Sequence, residues 1–178
     1  MTQALHNKTV KMGMALGAII TVCLFIIFYN LVPQFASEVI TTERIKLAIM
    51  CLVFPCAFFL TTIIRVGSQR FGNPSEDPTQ SQAHSQAMKV DLRVLSNTHE
   101  QLMIFVINTL ALSVLLPYQY LTLLPIYAGM FVMGRIIFWL AYQHNVLWRA
   151  PGFAMSTLPA VVGIGYNCIA ILFTTLMV

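Results

Sequence analysis

Charge is what this sequence has least of. Ten basic and six acidic residues make up 9% of its 178 positions, against 58% apolar ones. A water-soluble domain carries roughly 25% charged residues. A chain this poor in charge cannot dress its surface for water, so most of its surroundings must be lipid. Metal-site and redox signals are missing too. Four cysteines (Cys23, Cys51, Cys56 and Cys168) all lie in apolar runs, with no CxxC or Cys/His spacing. They read as small packing residues. No metal-ligand cluster, Ser-His-Asp arrangement or glycine-rich phosphate loop is visible. The net charge of +4 does not form a basic patch, because apolar runs separate the basic residues. Nucleic acid is therefore not an expected partner, and the basic residues read as topology signals.

What the sequence has instead is long apolar runs. A spanning helix needs about 20 mainly apolar residues, and five stretches qualify: Met12–Val32, Ile45–Val66 with Pro55 inside, Leu95–Leu116, Leu121–Tyr142, and Phe153–Met177 with Pro159 in its first turns. Helices are expected because lipid offers backbone groups no partners. The first run is too long for the apolar segment of a signal peptide and shows no small-residue cleavage site, so it is expected to be retained. The fold expected is all-α, an integral multi-pass membrane bundle of one domain. The polar stretch Gly67–Lys89, rich in Ser, Gln and Pro, reads as a loop.

Orientation follows from Lys and Arg. With five spans, one side holds Lys8, Lys11, Arg65, Arg70, Lys89, Arg93 and Arg149, and the other only Arg44 and Lys46. The N-terminus and the polar loop are therefore expected to be cytoplasmic, in an endomembrane or a bacterial inner membrane.

Polar residues inside spans are the informative ones, because each needs a partner or a cavity. In DLRVLSNTHEQ, Arg93, Asn97 and Glu100 are spaced i, i+4, i+7 and share one helical face. Arg135 and Tyr142 share a face of the fourth helix, and Arg149 follows seven residues later. A tight turn around Pro117–Tyr120 makes helices three and four antiparallel, so these six residues can meet at one depth. Three arginines around one Asn and one Glu suit an anionic ligand, since guanidinium groups bind carboxylates in bidentate fashion. The plainer alternative pairs Glu100 with Arg135 or Arg93 to lock the bundle, while Arg149 reaches the headgroups. His99, His144, Trp139 and Trp148 read as interfacial, and His84 falls in the loop. Gly13 and Gly17, in GMALG, form a small-xxx-small pair that lets a helix pack closely.

These motifs carry a resemblance. RVLSNTHEQ and GRIIFWLAYQHNVLWRAPGF make the last four helices, residues 45–178, similar to the MAPEG superfamily of membrane-associated proteins in eicosanoid and glutathione metabolism. Residues 1–44 are then a tail and an extra helix before a four-helix MAPEG-like domain with a cytoplasmic loop at 67–90. The extra helix, with NTHEQ and the long apolar fourth span, is more similar to the divergent branch that includes mattrin-like transmembrane proteins. The resemblance implies a homotrimer that binds glutathione as co-substrate between subunits near the cytoplasmic face. Arg93, Asn97, Glu100, Arg135 and Tyr142 would hold the tripeptide. Arg149 would be the catalytic cation, stabilising the glutathione thiolate against a lipophilic small-molecule electrophile. A nearby cation lowers a thiol pKa and so raises the thiolate fraction. The sequence departs from the pattern at Ser96, Gln101 and Phe138, each of which removes a possible ligand contact. Two functions follow as expectations: a glutathione-dependent transferase or peroxidase, or a non-catalytic membrane protein that binds or regulates membrane proteins or lipids.

Overall fold

The computed structural model describes residues 3–71, 73–77, 79, 84–144 and 149–176, with side chains from residue 7 onward. Five long helices account for nearly all of it: α1 (Gln3–Leu31), α2 (Thr41–Arg70), α3 (Gln86–Leu115), α4 (Leu123–His144) and α5 (Arg149–Leu176), with short 3-10 turns at Pro74–Glu76 and Tyr118–Tyr120. No strand occurs among the described residues. Each helix carries a segment long and apolar enough to cross a membrane. At 1.5 Å per residue, even the 22 residues of α4 extend about 33 Å, enough for a hydrocarbon core.

Two ties identify the helix ends that share one end of the bundle. Arg44 near the start of α2 donates from Nε to Val39 O and from Nη1 to Leu116 O, both at 2.7 Å, and so serves a carbonyl just past the end of α3. Thr122 Oγ1 donates to Pro33 O at 3.2 Å, joining the approach to α4 to the segment after α1. The opposite end therefore gathers the N-termini of α1, α3 and α5 with the C-termini of α2 and α4.

The helices extend further at that opposite end than the apolar runs predict. α2 continues through Arg70, and α3 begins at Gln86, where Ser85 caps it by accepting from Met88 N at 3.1 Å. The expected loop is shorter for a physical reason. Asp91 in the first turns of α3 is 4% exposed. It accepts from Arg65 Nε at 3.1 Å, from Trp139 Nε1 at 3.1 Å and from the Gln69 amide. One carboxylate thus ties α2, α3 and α4 together and holds their polar ends helical.

The apolar core lies between α2, α3, α4 and α5. Phe105 is fully buried, with the rings of Tyr127 and Phe131 at 4.5 and 4.8 Å. α1 reaches the edge of this core through Phe25 and packs mainly on α5. Gly17 makes that approach possible: a Cβ there would lie 2.6 Å from Pro151 O and 3.0 Å from the Ala154 Cβ. The GMALG seam thus packs as expected. Most other α1 side chains face outward, including Ile19, Val22, Ile26 and Leu31. Of the cysteines, Cys51 is buried, while Cys23, Cys56 and Cys168 lie on the outer surface. For those three, packing inside the bundle is replaced by exposure on its outer face.

Candidate functional site

The candidate residues lie at the end of the bundle where α5 begins. α4 and α5 are pressed together there because Gly152 has no side chain. A Cβ on Gly152 would sit 2.7 Å from Gly134 O, inside the backbone of α4. This contact brings the first turn of α5, and Arg149 with it, against the last turns of α4. Arg149 Nη1 donates to Tyr142 Oη at 2.5 Å, and its guanidinium carbon lies 4.9 Å from the centre of that ring. Both side chains border a cavity of about 420 Å³.

Arg93, Asn97 and Glu100 reach the same cavity from α3, so five of the six candidates converge. Val10 and Met14 of α1 supply an apolar wall. Arg93 and Glu100 are exposed on the outer rim. Glu100 accepts from Ser96 Oγ at 3.3 Å. It pairs with neither Arg93 nor Arg135: the ion pairs among the described residues are Lys46–Glu43, Arg65–Asp91 and His84–Glu76. The bundle-locking role considered for Glu100 therefore belongs to Asp91.

Arg135 does not line the cavity; it lies beneath it with no exposed surface. Nη1 donates to Asn97 Oδ1 and Nη2 to Ser156 Oγ, both at 2.7 Å. The Phe138 ring covers it, with its centre 4.5 Å from the guanidinium carbon. Its Nε has no partner among the described residues. Oxygens of neutral side chains therefore hold this cation where a carboxylate was expected. Ser156 passes the contact on by donating to Phe153 O at 3.0 Å.

The remaining expectations separate cleanly. Gln101 is buried and accepts from Thr157 Oγ1 at 3.3 Å, so it points into the bundle and not into the cavity. His99 stacks on Phe59 at 5.6 Å. Trp139, expected at the interface, donates from Nε1 to Asp91 Oδ1 and packs edge-on against Phe58. In the loop, His84 Nδ1 lies 3.1 Å from Glu76 Oε2 and Ser85 N donates to Glu76 Oε1 at 3.0 Å. Hydrogen bonding from Ser85, aided by His84, holds the Glu76 carboxyl below its usual range. Trp148 lies outside the described residues.

Sequence reasoning missed Asp91, Ser156 and a second polar layer. Asn108 Nδ2 donates to Tyr127 Oη and Ala160 O, each at 3.3 Å, and Asn167 Nδ2 donates to Asn108 Oδ1 at 2.7 Å. Isolated asparagines in the apolar runs FVINTLAL and GYNCIA were the available signal. No group of three or more His, Cys, Asp and Glu residues suited to a metal occurs among the described residues.

The chain is 25% identical over 80 residues to Transmembrane protein 79 of Mus musculus, a MAPEG-related protein also called mattrin. That match covers 45% of this chain and only 20% of the mouse protein. No solved structure matches. The MAPEG family model matches residues 46–169, covering α2 to α5 almost whole and leaving α1 outside. With more than half of its length in that match and five helices long and apolar enough to cross a membrane, the chain belongs to the MAPEG family.

Proposed function

We propose that this protein is a glutathione-dependent membrane transferase or peroxidase acting on a lipophilic electrophile. The observation that carries this reading is the convergence of Arg93, Asn97, Glu100, Tyr142 and Arg149 on one cavity of about 420 Å³. Two arginines face one carboxylate there, so the cavity favours a ligand with more negative than positive groups. Glutathione is such a ligand, and glutathione-using enzymes occur in the family. Arg149 is the residue for the thiol. Its guanidinium is held against Tyr142 and borders the cavity. A thiolate beside that cation is stabilised, which lowers the thiol pKa.

The electrophile reaches the site from the bilayer, past the apolar wall of α1. Arg93 and Glu100 stand exposed on the rim, and a second copy of the chain would cover them. This supports a homotrimer with glutathione between subunits. The seven-to-two distribution of Lys and Arg supports a cytoplasmic position for the cavity and the N-terminus.

The test is glutathione titration onto the purified protein in lipid nanodiscs. Wild type is expected to bind at millimolar concentration or below. Arg149→Ala and Glu100→Gln should each weaken binding by about ten- to a hundredfold, the worth of a charge-assisted hydrogen bond. No binding by wild type refutes the reading.

A second reading has its own support. Phe138 covers Arg135 with a ring that has no hydroxyl, and Gln101 is turned away from the cavity. Together with the similarity to Transmembrane protein 79, this favours a non-catalytic membrane protein that binds or regulates lipids or other membrane proteins. On that reading Arg149→Ala leaves function intact in a folded protein.

A further inference from the structure

We infer that Arg135 is a positioning residue: by holding Asn97 Oδ1, it turns the Asn97 amide so that its N–H groups face the cavity. The inference rests on the glutathione reading of that cavity and gives residue 97 a defined polarity within it. Arg135 is fully buried, and its Nη1 to Oδ1 distance is 2.7 Å. A guanidinium has five donors and no acceptor. Only the carbonyl end of an amide can face it, so chemistry settles which way the amide lies. Asn97 borders the cavity, and its amide nitrogen makes no hydrogen bond among the described residues. The two N–H donors are therefore left for whatever enters.

Ser156 and Phe138 keep the device rigid. Ser156 Oγ accepts from Nη2 at 2.7 Å, and the Phe138 ring closes the guanidinium off from the cavity. Arg135 thus cannot swing out to meet a ligand itself. Its positive charge acts through one amide, which polarises the N–H groups of Asn97 and strengthens them as donors. A ligand group beside Asn97 must then be an acceptor, a carboxylate or an amide carbonyl. An ammonium group is rejected there and must be taken by Glu100.

Two variants test this, each read by glutathione titration and thermal unfolding in nanodiscs. Asn97→Asp keeps an oxygen on Arg135 but removes both donors. It should bind about tenfold weaker or worse with an unchanged or raised melting temperature, since the buried cation gains a counter-charge. Arg135→Met frees the amide to rotate and should weaken binding by a similar factor, while Arg135→Lys, still a donor-only cation, should restore most of it. A purely structural Arg135 would instead make affinity follow melting temperature across all three. Binding within twofold of wild type by folded Asn97→Asp or folded Arg135→Met overturns the inference while leaving the glutathione reading in place. Absence of binding by wild type overturns both.

Discussion

Two polar layers lie inside this bundle, and they use their hydrogen-bonding groups in opposite ways. In the layer of Asn108, Tyr127 and Asn167, the side chains bond one another and the Ala160 carbonyl, and Asn167 Oδ1 alone of these groups lacks a partner among the described residues. In the layer of Asn97, Arg135, Tyr142 and Arg149, the buried Arg135 is bonded through both terminal nitrogens, with only its Nε lacking a partner among the described residues, and Asn97, Tyr142 and Arg149 border a cavity. Both layers bear the cost of polar groups in a membrane. The first recovers that cost by fixing the register of α3 against α4 and α5. The second leaves donors unspent, which is what a ligand requires.

The comparison can be broken at its shared support. Gly152 seats α5 on α4, and a side chain there would meet the α4 backbone. Gly152→Val should have the largest effect, costing about 1–3 kcal/mol of stability by overpacking and abolishing ligand binding with it. Thermal unfolding and glutathione titration of the same sample check both parts. A folded variant with wild-type affinity would show that the seam does not position Arg149.

It can be sharpened at the closed layer. Asn108→Leu should cost about 1–2 kcal/mol, because Tyr127 and Asn167 lose their partner. Glutathione affinity should stay within about twofold, below the tenfold that 1.4 kcal/mol represents. A large affinity loss without a stability loss would reverse the roles assigned to the two layers.

The smallest effect lies outside the membrane. The Glu76 carboxyl is held below its usual range by Ser85 and His84. The stability this lends the loop is present above the ordinary carboxylate pKa and is lost as pH falls through the lowered value. Hydrogen exchange at Ser85 N, which donates to Glu76, should therefore stay protected, relative to the intrinsic rate, at pH values where a free carboxyl is half protonated. Loss of protection at the ordinary value would contradict the lowered pKa.

Much of this was legible because lipid imposes simple rules. Five apolar runs gave five helices, and i, i+4, i+7 spacing brought Arg93, Asn97 and Glu100 to one face. What stayed hidden depended on contacts between distant helices. The sequence does not say that Asp91 would collect Arg65, Gln69 and Trp139, so the helix ends were read too short. Nor does it say that Ser156, on α5, would take the second hydrogen bond of Arg135. Intramembrane charge suggested that Arg135 meets the ligand; in the fold it lies against the Phe138 ring and lines no part of the cavity. The Asn108 layer was overlooked because an asparagine within a long apolar run has no local partner, and its partners lie 19 and 59 residues away.

The central claim is that the cavity at the start of α5 holds glutathione, and the most direct measurement is an experimental structure determined with saturating glutathione. The account predicts density in the cavity, with the thiol sulfur beside Arg149 and Tyr142 and an acceptor oxygen on the Asn97 amide. An empty cavity at saturation, or density lying elsewhere while Arg149 contacts only Tyr142, would contradict it.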